Sequence, residues 1–462
     1  MKRYLSLDLL RGISIFGMVF SAIVPHGVLP AWMYHIQTPP PTHIFDKSVS
    51  GISWVDLVFP IFIFCMGAAI PFAGRRRLEK GTSEYIKELF ERFLMLWLFS
   101  YLYVFLNFSQ AEGWGAQLAT LAGFLSLFPL YMVFSNTGPK WMNSLIPYKK
   151  WFRLGGVLLI TSLIIFGHFQ FGEEISLNRR GIIIFLLTFL YLFGALVWYA
   201  TRDSLKGRAV IFTLLILFSA ASMYFNFVET LSPSWFFNLE YFYFLMILIP
   251  ATYVGDMLQK RVSAPEGYNP LKGAKHKHLI ALILSALVVW QLVALYNEYL
   301  LANFIVSAIV ITILSILIKR HLPVYTKETY LASGLLIAGL ISLALEGSIT
   351  KTPCTISYCF VTTSISIFLL MLMDNVSYYT GKSIVSFFTR IFSGAGSNPL
   401  MSYIAFGALL MPVFKLTGLI VVYQAAYPQG YPWIGVARAF IAVLLTMAMV
   451  ASLSERKIFW RA

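Results

Sequence analysis

Charge is what this chain has least of. Of 462 residues only 12% are charged while 58% are hydrophobic, and the mean hydropathy is +0.75. A soluble fold carries about twice that charged fraction, so the soluble class is excluded. Cysteine is equally scarce. Three in the whole chain are too few for a disulfide framework; Cys354 and Cys359 are close enough in sequence to pair, but free membrane thiols are the expected state. Acidic residues are outnumbered, 20 Asp and Glu against 35 Lys and Arg, for a net charge of +15. The excess does not point to nucleic acid, because it falls in short clusters between apolar runs, the pattern that orients transmembrane helices. No internal repeat is evident, which weakens a transporter built from inverted halves. No small-residue cleavage site follows the opening MKRYLSLDLLRG, so it reads as the start of the first span and not as a signal peptide.

What is present is a series of apolar runs. The length rule predicts about fourteen spans, at 9–24, 52–73, 88–107, 115–135, 154–171, 181–200, 208–227, 236–257, 278–297, 303–319, 329–346, 354–373, 398–418 and 433–452. The expected fold is an all-α, polytopic transmembrane helical bundle of about 12 to 14 spans, a single integral-membrane domain over 1–462. Lys2 and Arg3 before the first span put the N-terminus in the cytoplasm, and an even count puts the terminal SERKIFWRA there too. The loop 25–51 is then extracytoplasmic. Its charged residues are Asp46 and Lys47, whereas Arg75, Arg76, Arg77 and Lys80 crowd the far end of the second span. The polar stretch 259–277 becomes a cytoplasmic linker, and Lys382 and Arg390 also fall inside. Arg179 and Arg180 are discordant, landing outside beside Glu173 and Glu174, where local pairing or a miscounted span would account for them.

The chemistry concentrates between Trp32 and Ala73, where a histidine-bearing loop runs into an apolar helix. Asp56 lies near the start of that span with Pro60 a turn later. An ionisable group in hydrocarbon is expensive and reads as function by default, and the proline removes a backbone hydrogen bond and opens space beside the carboxylate. Such a carboxylate could orient a histidine acting as general base; its structural alternative is a helix cap or an ion pair. His26, His35 and His43, three of the chain's seven histidines, sit in the preceding loop. Pro39, Pro40 and Pro41 form a stiff run that is expected to extend and to hold His35 and His43 at defined positions, as an active site or a structural lid. A metal site is not expected, because the histidines lack compact ligand spacing and no cysteine joins them.

Two further motifs could bind anions. In SLDLLRG, Asp8 and Arg11 share a helix face, and the planar fork of Arg11 suits a phosphate; the structural alternative is an ion pair whose Gly12 permits close helix packing. In SGAGSNPLMSY, Gly394, Gly396 and Asn398 precede a helix whose first N–H groups could receive a phosphate, or they simply start the helix.

Taken in order, SLDLLRG, the outer histidine loop, DLVFPIFIFCMG, SYCFVTTSISIFLLMLMD, GSNPLMSY and the terminal RKIFW resemble the heparan-alpha-glucosaminide N-acetyltransferase family of transmembrane acyltransferases and its bacterial relatives of unassigned substrate. The resemblance implies a core of about ten spans, leaving the pairs at 181–227 and 278–319 as inserted hairpins. It implies acetyl transfer from cytosolic acetyl-CoA, a co-substrate and not a permanently bound cofactor, to the amino group of a glucosamine-like sugar or envelope glycan on the far side. The partners are then acetyl-CoA, a glycan acceptor and the lipid bilayer, with a homodimer left open, and the bacterial inner (plasma) membrane is the expected location. Carried over by position, the family's essential histidine matches His35 by its distance from the first span and its aromatic neighbours, and His43 by its distance to Asp56. Asp56 would be its partner, while Asp8, Arg11, Gly396 and Asn398 would face the coenzyme. Two family polar positions are absent, an asparagine that falls at Ala22 and a histidine that falls at Phe406, so the acceptor need not be heparan glucosamine. A transporter or flippase for a sugar or glycolipid, with Asp8, Arg11 and Asp56 as gating charges, is the competing reading; it requires no coenzyme A.

Overall fold

A computed structural model of the chain describes residues 4–134, 138–225, 237–262, 271, 274–378, 384–427 and 430–461. Lys2, Arg3, Lys382 and most of the linker, at 263–270 and 272–273, lie outside the described residues. Among the described residues the regular elements are helices, with one isolated bridge between Met132 and Trp460. We number the principal helices α1 (Leu5–Ser21), α2 (Trp54–Leu78), α3 (Thr82–Phe105), α4 (Trp114–Ser126), α5 (Lys149–Phe171), α6 (Ile182–Thr201), α7 (Leu205–Phe225), α8 (Leu239–Val262), α9 (Lys277–Tyr296), α10 (Leu300–His321), α11 (Pro323–Glu346), α12 (Ile356–Tyr378), α13 (Ile384–Gly396), α14 (Pro399–Thr417) and α15 (Pro432–Glu455). The protein is a polytopic helical membrane protein.

Each predicted span falls on a helix, and among the described residues 11 are long and apolar enough to cross a membrane. The other three are α1, with 17 residues, α3, which carries Glu88, Glu91 and Arg92 in its first half, and α4, with 13 residues. Helix α13 appears where the sequence suggested a cytoplasmic loop; it has 13 residues and its Arg390 pairs with Glu455 of α15. The discordant arginines are locally satisfied: Arg179 pairs with Glu173, and Arg180 donates to Leu177 O at 2.9 Å and lies 4.4 Å over the Phe185 ring.

The chain divides into two compact units, one of Met1–Leu10, His26–Lys87 and Leu190–Thr389, the other of Arg11–Pro25, Glu88–Phe189 and Arg390–Ala462. At the centre of the first unit lie α2, α8 and α12, each with more than two thirds of its apolar window buried, against 17% for α7 and 28% for α10. Small residues let α2 and α8 cross closely: a Cβ added at Gly67 would lie 2.6 Å from Leu248 O, and one at Gly255 2.3 Å from Ala68 O. Helix α12 buries Thr362, Thr363 and Ser366, whose hydroxyls each bond a backbone carbonyl one turn back, so these three need no partner outside the helix. In the second unit, Phe99, Phe124, Leu127, Tyr131, Ile160, Met401 and Ile404 surround Trp460. Gly12 of α1 meets α13 so tightly that an added Cβ would lie 1.9 Å from Phe392 O, which gives that glycine the packing role. A π-helical turn at Phe406–Leu410 interrupts α14.

Candidate functional site

The site is built at the start of α2, in the first unit. Ser53 caps the helix, its Oγ accepting the Val55 N–H at 3.2 Å. The fully buried Asp56 closes the box: its Oδ2 accepts Ser53 N–H at 3.0 Å, Ser53 Oγ–H at 2.8 Å and Ile36 N–H at 3.1 Å. One carboxylate oxygen of Asp56 thus caps the helix while the other faces a histidine. Oδ1 lies 3.1 Å from Nε2 of His35, in ion-pair range but off the line of the ring N–H, so Oδ1 is a buried oxygen without an in-line hydrogen bond.

The second ring nitrogen sets the tautomer. His35 Nδ1 accepts the Gln37 N–H at 3.1 Å, which assigns the ring proton to Nε2, toward the carboxylate. Burial pushes the imidazole below its ordinary value of 6.5, the Asp56 charge pulls it back up, and Lys351 pushes it down again. Lys351 is half-buried beside this pair, its Nζ 5.6 Å from the Phe59 ring centroid, and burial lowers its own ammonium while Asp56 raises it. One carboxylate thus faces two cationic candidates. Burial works against the charged form of both groups, and Asp56 works for it in both.

Tertiary structure brings these groups together through two loops. Gln37, fully buried, donates Nε2–H to Thr352 O at 2.7 Å and accepts Thr352 N–H at 3.2 Å. Gly51 N–H donates to Ile349 O at 2.9 Å, and Ile349 N–H to Ser50 Oγ at 3.1 Å. Tyr358, at the start of α12, donates its hydroxyl to Asp56 O at 2.7 Å. Cys354 and Cys359 are free, their sulfurs 3.3 Å apart. Gln37, Lys351 and Tyr358 were missed as site residues. Tyr358 lay inside the SYCFVTT motif, whereas nothing local marks the other two.

His43 does not reach Asp56, because the proline run does not extend as expected. Pro39–Thr42 folds into a turn closed by His43 N–H on Pro39 O at 3.0 Å. His43, at φ 51°, is turned back so that its Nε2 accepts Gly27 N–H at 2.8 Å. Its ring packs 4.7 Å from that of His26 and 4.5 Å from that of Tyr34.

The anion-binding candidates are placed as follows. Asp8 lies in the first turn of α1, in the first unit. In the second unit, Arg11 donates Nη1–H to Gly396 O at 3.1 Å. Asn398, also fully buried, gives its amide to the C-terminal segment, donating Nδ2–H to Ile458 O at 3.1 Å and accepting Trp460 N–H at 3.0 Å. Pro399 opens α14 directly after it, so this helix start holds the segment Ile458–Trp460.

Residues 3–258, more than half of the chain and inclusive of His35 and Asp56, match a family model described as a domain of unknown function, DUF5009. No curated protein matches the chain. The chain therefore belongs to the DUF5009 family.

Proposed function

We propose that this protein is a membrane-embedded acyltransferase that moves an acetyl group from cytosolic acetyl-CoA to an amino sugar or envelope glycan on the extracytoplasmic side, in a bacterial inner membrane. The observation that carries the reading is the 3.1 Å contact between His35 Nε2 and Asp56 Oδ1 at the mouth of α2, with the imidazole driven toward its neutral form by burial and by Lys351. A base, an orienting carboxylate and a nearby cation are the parts that amine acylation needs.

With the ring proton on Nε2, the basic lone pair is that of Nδ1, so the acceptor amine takes the place of Gln37 N–H. The amine nitrogen attacks the thioester carbonyl, the C–S bond breaks, and coenzyme A departs as thiolate. Nδ1 takes the proton that the nitrogen loses, and the imidazolium returns it to the sulfur. Asp56 steadies the imidazolium and Lys351 the oxyanion. Arg11, whose planar fork suits a phosphate, is the residue assigned to the coenzyme's phosphates. The direct route is preferred over acetyl-histidine because the Nδ1 lone pair then serves as the base and needs no acetyl-enzyme intermediate.

The test uses purified full-length protein with labelled acetyl-CoA. Coenzyme A binds to the wild type, and His35→Ala lowers acetyl transfer by about 10²–10⁴-fold while leaving that binding intact. Substrate movement without coenzyme A binding would establish the transporter instead, and a stoichiometric acetyl-histidine in rapid quench would defeat the direct route.

A further inference from the structure

A basic cluster unconnected with the reaction proposed above lies in the first unit, where α9 begins and α10 ends. The sequence runs AKHKH into α9 and IKRH out of α10. His276, just before α9 at φ 59°, and His321, the last residue of α10, bring their rings to 4.5 Å between centroids, 60° apart in plane. The charges of Arg320 and Lys275 also reach the His321 ring. Lys277 is turned inward, its Nζ donating to Leu271 O at 3.3 Å and lying 3.9 Å over the Tyr378 ring. Lys275, Lys319 and Arg320 are exposed.

Neither α9 nor α10 carries a carboxylate. On the helices beside them, Glu328 and Asp374 are buried and engaged by Arg261 and Tyr4, and Lys275, Lys319 and Arg320 pair with no carboxylate among the described residues. Glu266 and Lys272 of the linker lie outside the described residues. A bias of cations toward one membrane surface explains how many there are. It does not explain why two helices bring two imidazoles face to face beside a lysine and an arginine. Each of these groups donates N–H bonds, so together they suit an anion with several acceptor oxygens.

An apolar surface runs directly into this cluster and says what kind of anion fits. On α9, His278 and Leu282 are four residues apart, and on α10 so are Arg320 and Ile316, so each pair shares a helix face. Leu282 is 67% exposed and Ile316 62%, while 39% of the apolar window of α9 and 28% of that of α10 are buried. In a bilayer, acyl chains cover those faces. A ligand that meets the apolar faces and the cations at once carries chains and an anionic head in one molecule, whereas a nucleotide or a free phosphate leaves the apolar side unmatched. We propose that Lys275, His276, Lys319, Arg320 and His321 bind the phosphate headgroup of an anionic phospholipid whose acyl chains lie along α9 and α10.

The experiment is thermal unfolding of the purified full-length protein in dodecyl maltoside micelles at constant ionic strength, titrated with dioleoylphosphatidylglycerol, dioleoylphosphatidylcholine or sodium phosphate. A ligand of the folded state raises the midpoint saturably, and of the three probes phosphatidylglycerol is expected to do so. Lys275→Gln combined with Arg320→Gln should raise the half-saturating phosphatidylglycerol concentration about tenfold or more. Should that variant fail to fold, Lys319→Gln, a single change at an exposed position, should raise it several-fold. Lys149→Gln combined with Lys150→Gln, exposed lysines at the start of α5, removes the same charge elsewhere and should leave it unchanged. No rise with phosphatidylglycerol overturns the site, as does an equal rise with phosphatidylcholine or an undiminished affinity in the α9–α10 variants. An equal loss in the α5 variant overturns it in favour of diffuse charge, and a rise with sodium phosphate that matches the lipid's overturns it in favour of a soluble anion.

Discussion

Asp56→Asn is the sharpest perturbation the structure offers, because it changes charge without changing shape. In the wild type Oδ2 accepts three hydrogen bonds, from Ile36 N, Ser53 N and Ser53 Oγ. Bonds to an ionised acceptor contribute about 1.5–3 kcal/mol each against about 0.5–1.5 for neutral ones, so neutralising the side chain costs roughly 3 kcal/mol over the three. The other oxygen becomes an amide NH₂ facing the Nε2–H of His35, donor against donor. Moving the ring proton to Nδ1 only shifts the conflict onto the Gln37 N–H, which adds about 1 kcal/mol or more. A total destabilisation of about 4 kcal/mol is expected, read as equilibrium unfolding in mixed SDS and detergent micelles by tryptophan fluorescence. In a His35→Ala background the donor conflict disappears, so Asn at position 56 should cost less there, with a coupling of about 1 kcal/mol. A single variant within about 0.5 kcal/mol of the wild type, or a coupling of zero, would refute the account of the carboxylate as both cap and histidine partner.

Other outcomes follow from the same geometry. Because His35 is held below its ordinary 6.5, the unfolded chain binds the proton more readily. The stability from its neutral form is therefore complete above 6.5 and is lost as pH falls below that value. The acid limb of acetyl transfer should likewise lie below 6.5, and Lys351→Met, which removes a charge that lowers His35, should move that limb to higher pH in a kcat/KM profile. Asn398→Ala strands the Ile458 carbonyl and the Trp460 N–H, at about 1–3 kcal/mol for each unsatisfied group, and limited proteolysis should release the C-terminal segment sooner. In the α9–α10 hairpin, Gln291 donates to Asn303 Oδ1 at 3.0 Å and to Ser307 Oγ at 2.8 Å, all three side chains fully buried. Gln291→Leu should cost about 1–2 kcal/mol of unfolding free energy in micelles, and Asn303→Leu added to it should cost little more because the pair is already broken.

The fold class was legible in composition and spacing alone. Hydropathy acts locally, so each run long enough to satisfy its own backbone in lipid announces a helix wherever its neighbours lie. The limits of that rule appear at α3, where Glu88, Glu91 and Arg92 fall inside a helix, and at α13, amphipathic and short, which the sequence left as loop. Asp56 was legible for the same reason, since a carboxylate beside an apolar run is costly on sight.

The choice between two histidines was a different kind of question. Distance from the first span pointed to His35 and distance to Asp56 pointed to His43. Which of them lies against Asp56 was decided by a turn at Pro39–Thr42, closed by one backbone hydrogen bond, that carries His43 back to Gly27 and leaves His35 there. Lys351 and Gln37 were beyond the reach of any local pattern, because their roles exist only once the loop before α2 and the loop before α12 are joined. Apolar length and charge cost are properties of a segment and are written in it. The pKa of an imidazole and the register of two loops are properties of distance through space, and only the packed chain sets those distances.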